Sequence, residues 1–109
     1  MLLFKKKFLP AIRSGEKTQT IRLWKHRRMR TGQRSYIPGA GHIQVLSVDA
    51  VRLEELDDED AQRDGFPSAT ALGAELCELY PTELAAGYQV YRVRFELLPQ
   101  EIGTDTATI

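Results

Sequence analysis

Lys17, Thr18, Thr20 and Arg22 follow Gly15 within a single octet, Gly15-Glu16-Lys17-Thr18-Gln19-Thr20-Ile21-Arg22. An amine, two hydroxyls and a guanidinium gathered behind a glycine turn suit a site that handles a phosphate or the polar edge of a base. Arg22 can fork onto such a group or hold the site by pairing with a buried acid. From position 17 to position 48 the chain has no Asp or Glu, so the octet opens a cationic stretch. Lys25, His26, Arg27, Arg28 and Arg30 crowd into six positions of it. They read as a basic rim that steers RNA, the alternative being a solvated loop. Trp24, directly before them, is either a core residue or a stacking platform for a base.

The net formal charge is zero, yet it is sharply divided. Residues 1–48 carry eleven Lys or Arg and one acid, while residues 49–109 carry four Arg and fourteen acids. Such a dipolar chain either cancels its charge across the fold or presents a cationic face to polyanions. The second reading is favoured, because the positive charge adjoins the octet.

At 109 residues the chain has room for one modest core, taken here as a single domain over residues 1–98 with a polar tail at 99–109 expected to be disordered. No run of eighteen apolar residues exists, so no membrane-spanning helix is expected. The first residues have their apolar side chains before their lysines, the wrong order for a signal peptide. The single Cys77 fits a reducing cytoplasm and is expected to act as a small buried apolar side chain. His26, His42 and Cys77 are too dispersed to form a zinc site, and no metal or cofactor is expected.

These residues must be positioned by the elements around them. Leu2 to Phe4 reads as a first strand. Phe8, Ala11 and Ile12 share a helical face, with Pro10 in its first turn and Gly15 as its stop. Thr18 to Leu23 reads as a strand with Thr18, Thr20 and Arg22 on one face. Lys17 and Thr20 would fall on opposite faces of a regular strand, so they can cooperate only if Lys17 belongs to the loop after Gly15. Lys25 to Arg34 is a basic loop, Arg34 to Ile37 a short strand, and His42 to Leu53 a long one. The apolar phase of that long strand slips between Val45 and Leu46, which predicts a bulge or a bend. Acids at 57 to 60 open a short helix that Gly65 ends, and Ser68 caps another, striped by Leu72, Leu76, Leu79 and Tyr80 and stopped with the help of Pro81. Tyr91, Val93, Phe95 and Leu97 alternate with charges in a final strand. The fold class is therefore α+β, a small mixed barrel flanked by short helices.

The spacing Gly15-x-Lys17-x-x-x-x-Arg22, behind the segment Phe8 to Ser14, resembles the signature of ASCH (activating signal cointegrator homology) domains. Asp60 to Ser68, Glu78-Leu79-Tyr80-Pro81 and Tyr91 to Leu97 resemble that family's later conserved regions, so the likeness spans about residues 2–98. The resemblance implies a PUA-like barrel with helices flanking a cleft, and relatives of that fold bind RNA or modified nucleosides. Small bacterial ASCH proteins include amidohydrolases that remove the acetyl group of N4-acetylcytidine. The family's catalytic Lys and Thr match Lys17 and Thr20, and Asp64 stands where the family has Glu.

If the resemblance extends to chemistry, Thr20 supplies the hydroxyl nucleophile and Lys17 the base. Asp64 returns a proton to the leaving nitrogen if its own pKa is raised. Each also has a plainer role: Thr20 as a strand threonine, Lys17 as an anion anchor, Asp64 as a solvated residue at a helix end. The expectations are thus a module that binds RNA or a nucleoside through Gly15, Thr18, Arg22, Trp24, Lys25, Arg27, Arg28 and Arg30; alternatively a metal-free amidohydrolase using Lys17, Thr20 and Asp64; and third, cleavage of single-stranded RNA with Lys17 and Arg22 stabilising the phosphorane.

Overall fold

Pro10 and Gly15 bracket the first helix as their chemistry dictates. A 3-10 turn at Lys6–Phe8 leads into α1 (Leu9–Ser14), where Pro10 takes an early position whose N–H needs no partner. Gly15 then adopts φ 83°, the left-handed conformation that closes a helix. The strands follow as β1 (Gln19–Trp24), β2 (Arg34–Ile37) and β3 (Gly41–Val51). A 3-10 turn at Leu53–Glu55 precedes three helices, α2 (Asp58–Arg63), α3 (Ala69–Leu79) and α4 (Pro81–Ala85), and β4 (Gln89–Leu97) closes the order. The computed structural model describes residues 1–99; apart from Pro99, the tail expected at 99–109 lies outside the described residues.

The four strands form one antiparallel sheet in the order β1-β4-β3-β2, curled into a half-barrel with the short helices around it. The last strand thus pairs with the first, Gln19 facing Arg94 and Thr20 facing Val93. Along β3 the pairing with β4 slips between Val45 and Ser47, so the bulge foreseen from the apolar phase is present. It throws Leu46 outward, 47% exposed, while Val45 and Val48 stay buried. The extra residue sharpens the local twist and bends the sheet.

The curl gives the sheet two buried faces. One packs Val93, Phe95, Ile43 and Val45 against Leu2, Ile12 and Met29. The other packs Ile21, Val51 and Val90 against Leu56, Ala61, Leu72 and Leu76 of the helical layer. Phe95 is 1% exposed, and truncating so buried an aromatic costs about 3–5 kcal/mol. β1 therefore has core on both sides and, among the described residues, a free edge, with β4 pairing along its other side.

Several expectations are corrected. Residues 2–4 form no strand: Leu2 donates a single N–H bond to the Tyr36 carbonyl at 2.9 Å, and by Lys6 the chain has entered the 3-10 turn. Pro81 opens α4 rather than simply stopping the helix before it, because a first-turn proline loses nothing. The break is made by Tyr80, at φ −129° and ψ 45°. In α3, Leu72 and Leu76 are buried one turn apart, but Leu79 is 40% exposed. Cys77 is exposed, not buried, because it follows Leu76 by about 100° around the helix.

Candidate functional site

A cleft of about 110 Å³ opens along the free edge of β1, between the N-terminal segment on one side and α3 on the other. Lys17, Thr20, Arg22 and Asp64 line it, with Phe4, Phe8, Phe66 and Tyr80 as aromatic walls and Lys5 and Glu75 among the polar lining.

The turn at Gly15 sets Lys17. The N–H groups of Glu16 and Lys17 both bond to the Ala11 carbonyl, at 2.9 and 3.0 Å, so Lys17 leaves the helix without yet joining the strand. It lies in the loop before β1, off the strand's alternating faces, and lines the same cleft as Thr20. Its side chain runs inward, its ammonium 4.7 Å from the Phe8 ring centre and 5.6 Å from that of Phe4. There it meets Asp64, the residue that caps the C-terminal end of α2.

Lys17 Nζ donates to Asp64 Oδ1 at 2.6 Å and to the Asp64 carbonyl oxygen. Lys17 is 3% and Asp64 4% exposed. The carboxylate also accepts the N–H of Ile21, an edge-strand donor that β4 cannot reach. Although Asp is one methylene shorter than Glu, its carboxyl touches the amine, because the end of α2 is drawn onto β1. The Thr18 N–H donates to the Arg63 carbonyl at 3.1 Å, and Gly65, at φ 92°, turns the chain away beside the Phe8 ring.

Burial dominates the electrostatics of this pair. Desolvation lowers the Lys17 pKa, Asp64 opposes the shift, and the Arg22 charge adds to the lowering. Burial likewise pushes the Asp64 carboxyl up to about 6, against the opposing pull of Lys17 and Arg22. Both shifts run toward the neutral forms, with burial as the largest cause of each.

Thr20 and Arg22 share one face of β1. Arg22 Nε donates to Thr20 Oγ1 at 3.0 Å and Nη2 to the Leu3 carbonyl at 2.7 Å, while the guanidinium lies 4.7 Å from the Phe4 ring centre. Accepting from Arg22 leaves the hydroxyl its own proton to give away. Thr20 is 5% exposed. Arg22 itself has a lowered pKa, first from burial, with Tyr80 and Asp64 opposing the shift.

The remaining sequence candidates lie elsewhere. Gly15 and Thr18 shape the turn and tie α2 to β1 without lining the cleft. Trp24 is half-buried, its ring 5.4 Å from that of Tyr91 and packed against the first core. Lys25, Arg27, Arg28 and Arg30 are exposed beyond the far end of β1, with Met29 buried among them as an anchor. Arg27 is fixed: it donates to the Val48 carbonyl at 2.8 Å and stacks 5.6 Å from the Tyr91 ring centre. At roughly 3.3 Å per residue, Lys25 lies about 17 Å along the strand from Thr20. The basic loop and the cleft are separate features.

Reading by residue type missed Glu75, Phe66 and Tyr80 as cleft residues. Glu75 projects from α3 beside buried Leu72 and Leu76 and pairs with exposed Lys7 at 3.5 Å. Its position three residues after Leu72 was the available signal. Among the described residues no group of three or more His, Cys, Asp or Glu side chains is arranged to hold a metal ion, and no helix is long and apolar enough to cross a membrane.

No family model matches the chain, and no curated protein matches it in sequence. Among solved structures it is similar to the crystal structure of hypothetical protein PH0355, with a TM-score of 0.74 and 18% identity over 88% of this chain and 95% of that one. It is also similar to protein EF3133 from Enterococcus faecalis V583, which carries the family designation DUF984. There the TM-score is 0.61 and the identity 19%, over 84% of this chain and 70% of the other. At these identities the likeness shows the fold alone.

Proposed function

We propose that the cleft binds a modified nucleoside and hydrolyses an amide on its base, with N4-acetylcytidine as the representative substrate. The observation that carries this reading is the buried Lys17–Asp64 pair, joined in one aromatic-walled cleft by an oriented Thr20 hydroxyl. Aromatic walls suit a planar base, and the acid–base pair suits an amide bound to it. The ASCH-like spacing of Gly15, Lys17 and Arg22, with Asp64 at the family's carboxylate position, supports the same reading.

The chemistry balances within the trio. In the neutral form of the pair, Lys17 carries a free amine and Asp64 a proton. Thr20 Oγ1 attacks the acyl carbon and gives its proton to Lys17, while Asp64 gives its proton to the departing nitrogen. The products of this step are an acyl ester on Thr20, the free amino base and a Lys17–Asp64 ion pair. Water then attacks the ester and passes a proton to Asp64. Lys17 returns one to Thr20, which restores the starting form and releases the carboxylic acid.

Plain polyanion binding in the cleft is the weaker reading, because the cationic loop lies at the other end of β1 and the cleft itself contains two carboxylates, Asp64 and Glu75. A second reading rests on that loop alone. Lys25, Arg28 and Arg30 are exposed around buried Met29, which suits contact with RNA phosphates outside the cleft. Chromatography of N4-acetylcytidine incubated with the protein, beside a Lys17→Ala control, tests the primary reading through the appearance of cytidine.

A further inference from the structure

Behind the cleft, on the other face of the sheet, lies a second buried polar cluster that the proposed chemistry does not use. Gln19 is fully buried at 0% exposure, and Asp60 is 4% exposed. Gln19 Nε2 donates to the Asp60 carbonyl at 3.2 Å, and Gln19 Oε1 accepts from Arg94 Nε at 3.2 Å. Arg94 Nη2 in turn approaches Asp60 Oδ1 at 3.5 Å, which closes a ring of three residues through the Asp60 main chain. Arg92 Nη1 reaches the same carboxylate oxygen at 3.3 Å.

The ring is placed where the cleft needs reference points. Gln19 is the first residue of β1, adjacent to Thr20 and two positions after Lys17. Asp60 stands one turn before Asp64 in α2, and its carbonyl also accepts the Asp64 N–H at 3.1 Å. Arg94 is the cross-strand partner of Gln19 on β4. One carbonyl, that of Asp60, is therefore shared between the residue that begins β1 and the residue that carries the cleft carboxyl. None of the three side chains lines the cleft.

A buried carboxylate with two arginines is a costly way to fill space, since apolar side chains of similar volume stabilise a fold as well or better. What such a ring provides is directional contact between three elements. We infer that Gln19, Asp60 and Arg94 form a positioning device that fixes the end of α2 against β1 and so sets the Asp64 carboxyl on Lys17. The inference rests on the Lys17–Asp64 pair being the working pair proposed above, though its test needs no substrate.

The test is the titration midpoint of the Asp64 carboxyl carbon, followed by NMR in the whole protein. The charged and titratable groups around Asp64 are Lys17 from the loop, Arg22 from β1, and Glu75 and Tyr80 across the cleft from α3. Gln19→Leu leaves all of these charges in place, so a change in midpoint reports geometry rather than charge. Loosening the end of α2 admits water to the pair, and the midpoint should fall by about one pH unit toward the ordinary carboxylate range. Arg94→Lys keeps the charge but removes the Nε donor at a partly exposed position, and should move the midpoint in the same direction; it decides the matter if Gln19→Leu fails to fold. Glu59→Gln, which breaks only the surface pair of Glu59 with Arg63 on the same helix, should leave it unmoved. A folded Gln19→Leu or Arg94→Lys protein with a lowered Tm but the wild-type Asp64 midpoint would overturn the inference, leaving the ring a structural filler. Because the midpoint is read without turnover, that failure is distinct from a failure to hydrolyse an amide.

Discussion

Lys17 Nζ lies 2.6 Å from Asp64 Oδ1 with both side chains shut off from solvent, yet the pKa of each is displaced toward the neutral form. Surface pairs of this kind are held in their charged forms by water. Here desolvation by burial is the largest influence on each group, ahead of their mutual attraction.

Lys17→Met should expose the cost of that burial. The Asp64 charge would lose its partner, and breaking a buried pair costs about 3–5 kcal/mol. The loss should be largest near pH 8, where Asp64 must ionise alone, and smaller near pH 5, where it takes up a proton. Urea denaturation at the two pH values checks both the size and the direction.

The Asp64 contribution to stability has its own pH signature. With a folded pKa of about 6, the native protein keeps a proton that the unfolded chain has already lost above the ordinary carboxylate range. Stability from this group is therefore present below that range and declines as pH rises toward 6. Asp64→Asn removes the dependence, so the difference in unfolding free energy between wild type and variant should shift in the variant's favour across that interval.

Enzymatic activity should follow the same proton. The productive pair holds one proton between Lys17 and Asp64, and a second one added below about pH 6 leaves Lys17 no free amine to take the Thr20 proton. In that range kcat/KM should fall by about tenfold per pH unit. A second decline is expected on the alkaline side, earlier than an ordinary lysine would give, because Lys17 is lowered.

Thr20→Val keeps the β-branched shape in the strand but removes the hydroxyl. It should reduce kcat by about a thousandfold or more with little change in Tm, whereas Thr20→Ser should retain substantial activity. Equal losses for the two variants would argue against a nucleophilic role.

RNA binding should separate from the cleft. Replacing Arg28 and Arg30 with Ala should weaken RNA affinity and lower the slope of log affinity against log salt by about one per lost phosphate contact. The same changes, in the loop beyond the far end of β1 and outside the cleft lining, should leave nucleoside affinity unaltered.

The sequence was most informative where local chemistry decides the outcome. Gly15 stops a helix because few other residues take its φ, Ser68 caps one through its hydroxyl, and the alternation from Tyr91 to Phe95 marks a half-buried strand. The Val45–Leu46 phase slip located the bulge for the same reason. Residues 2–4 failed because an apolar triplet says nothing about whether a neighbouring edge offers a ladder; Tyr36 offers one carbonyl. Cys77 failed because its burial depends on which side of α3 meets the sheet. Lys17, Thr20 and Asp64 were named in advance, but the separation of the basic loop from the cleft was not, since it depends on the direction in which β1 runs. Glu75 and the ring of Gln19, Asp60 and Arg94 depend on contacts across long sequence distances, which no local pattern encodes.

The central claim is that the Lys17–Asp64 pair and Thr20 hydrolyse an amide on a nucleoside base. Incubation of the purified protein with N4-acetylcytidine tests it most directly. The account predicts cytidine and acetate in equal amounts, with no product from Lys17→Ala and formation slowed about a thousandfold or more in Thr20→Val. Complete recovery of N4-acetylcytidine after prolonged incubation with stoichiometric folded wild-type protein, at a pH above the Asp64 value of about 6, would contradict it.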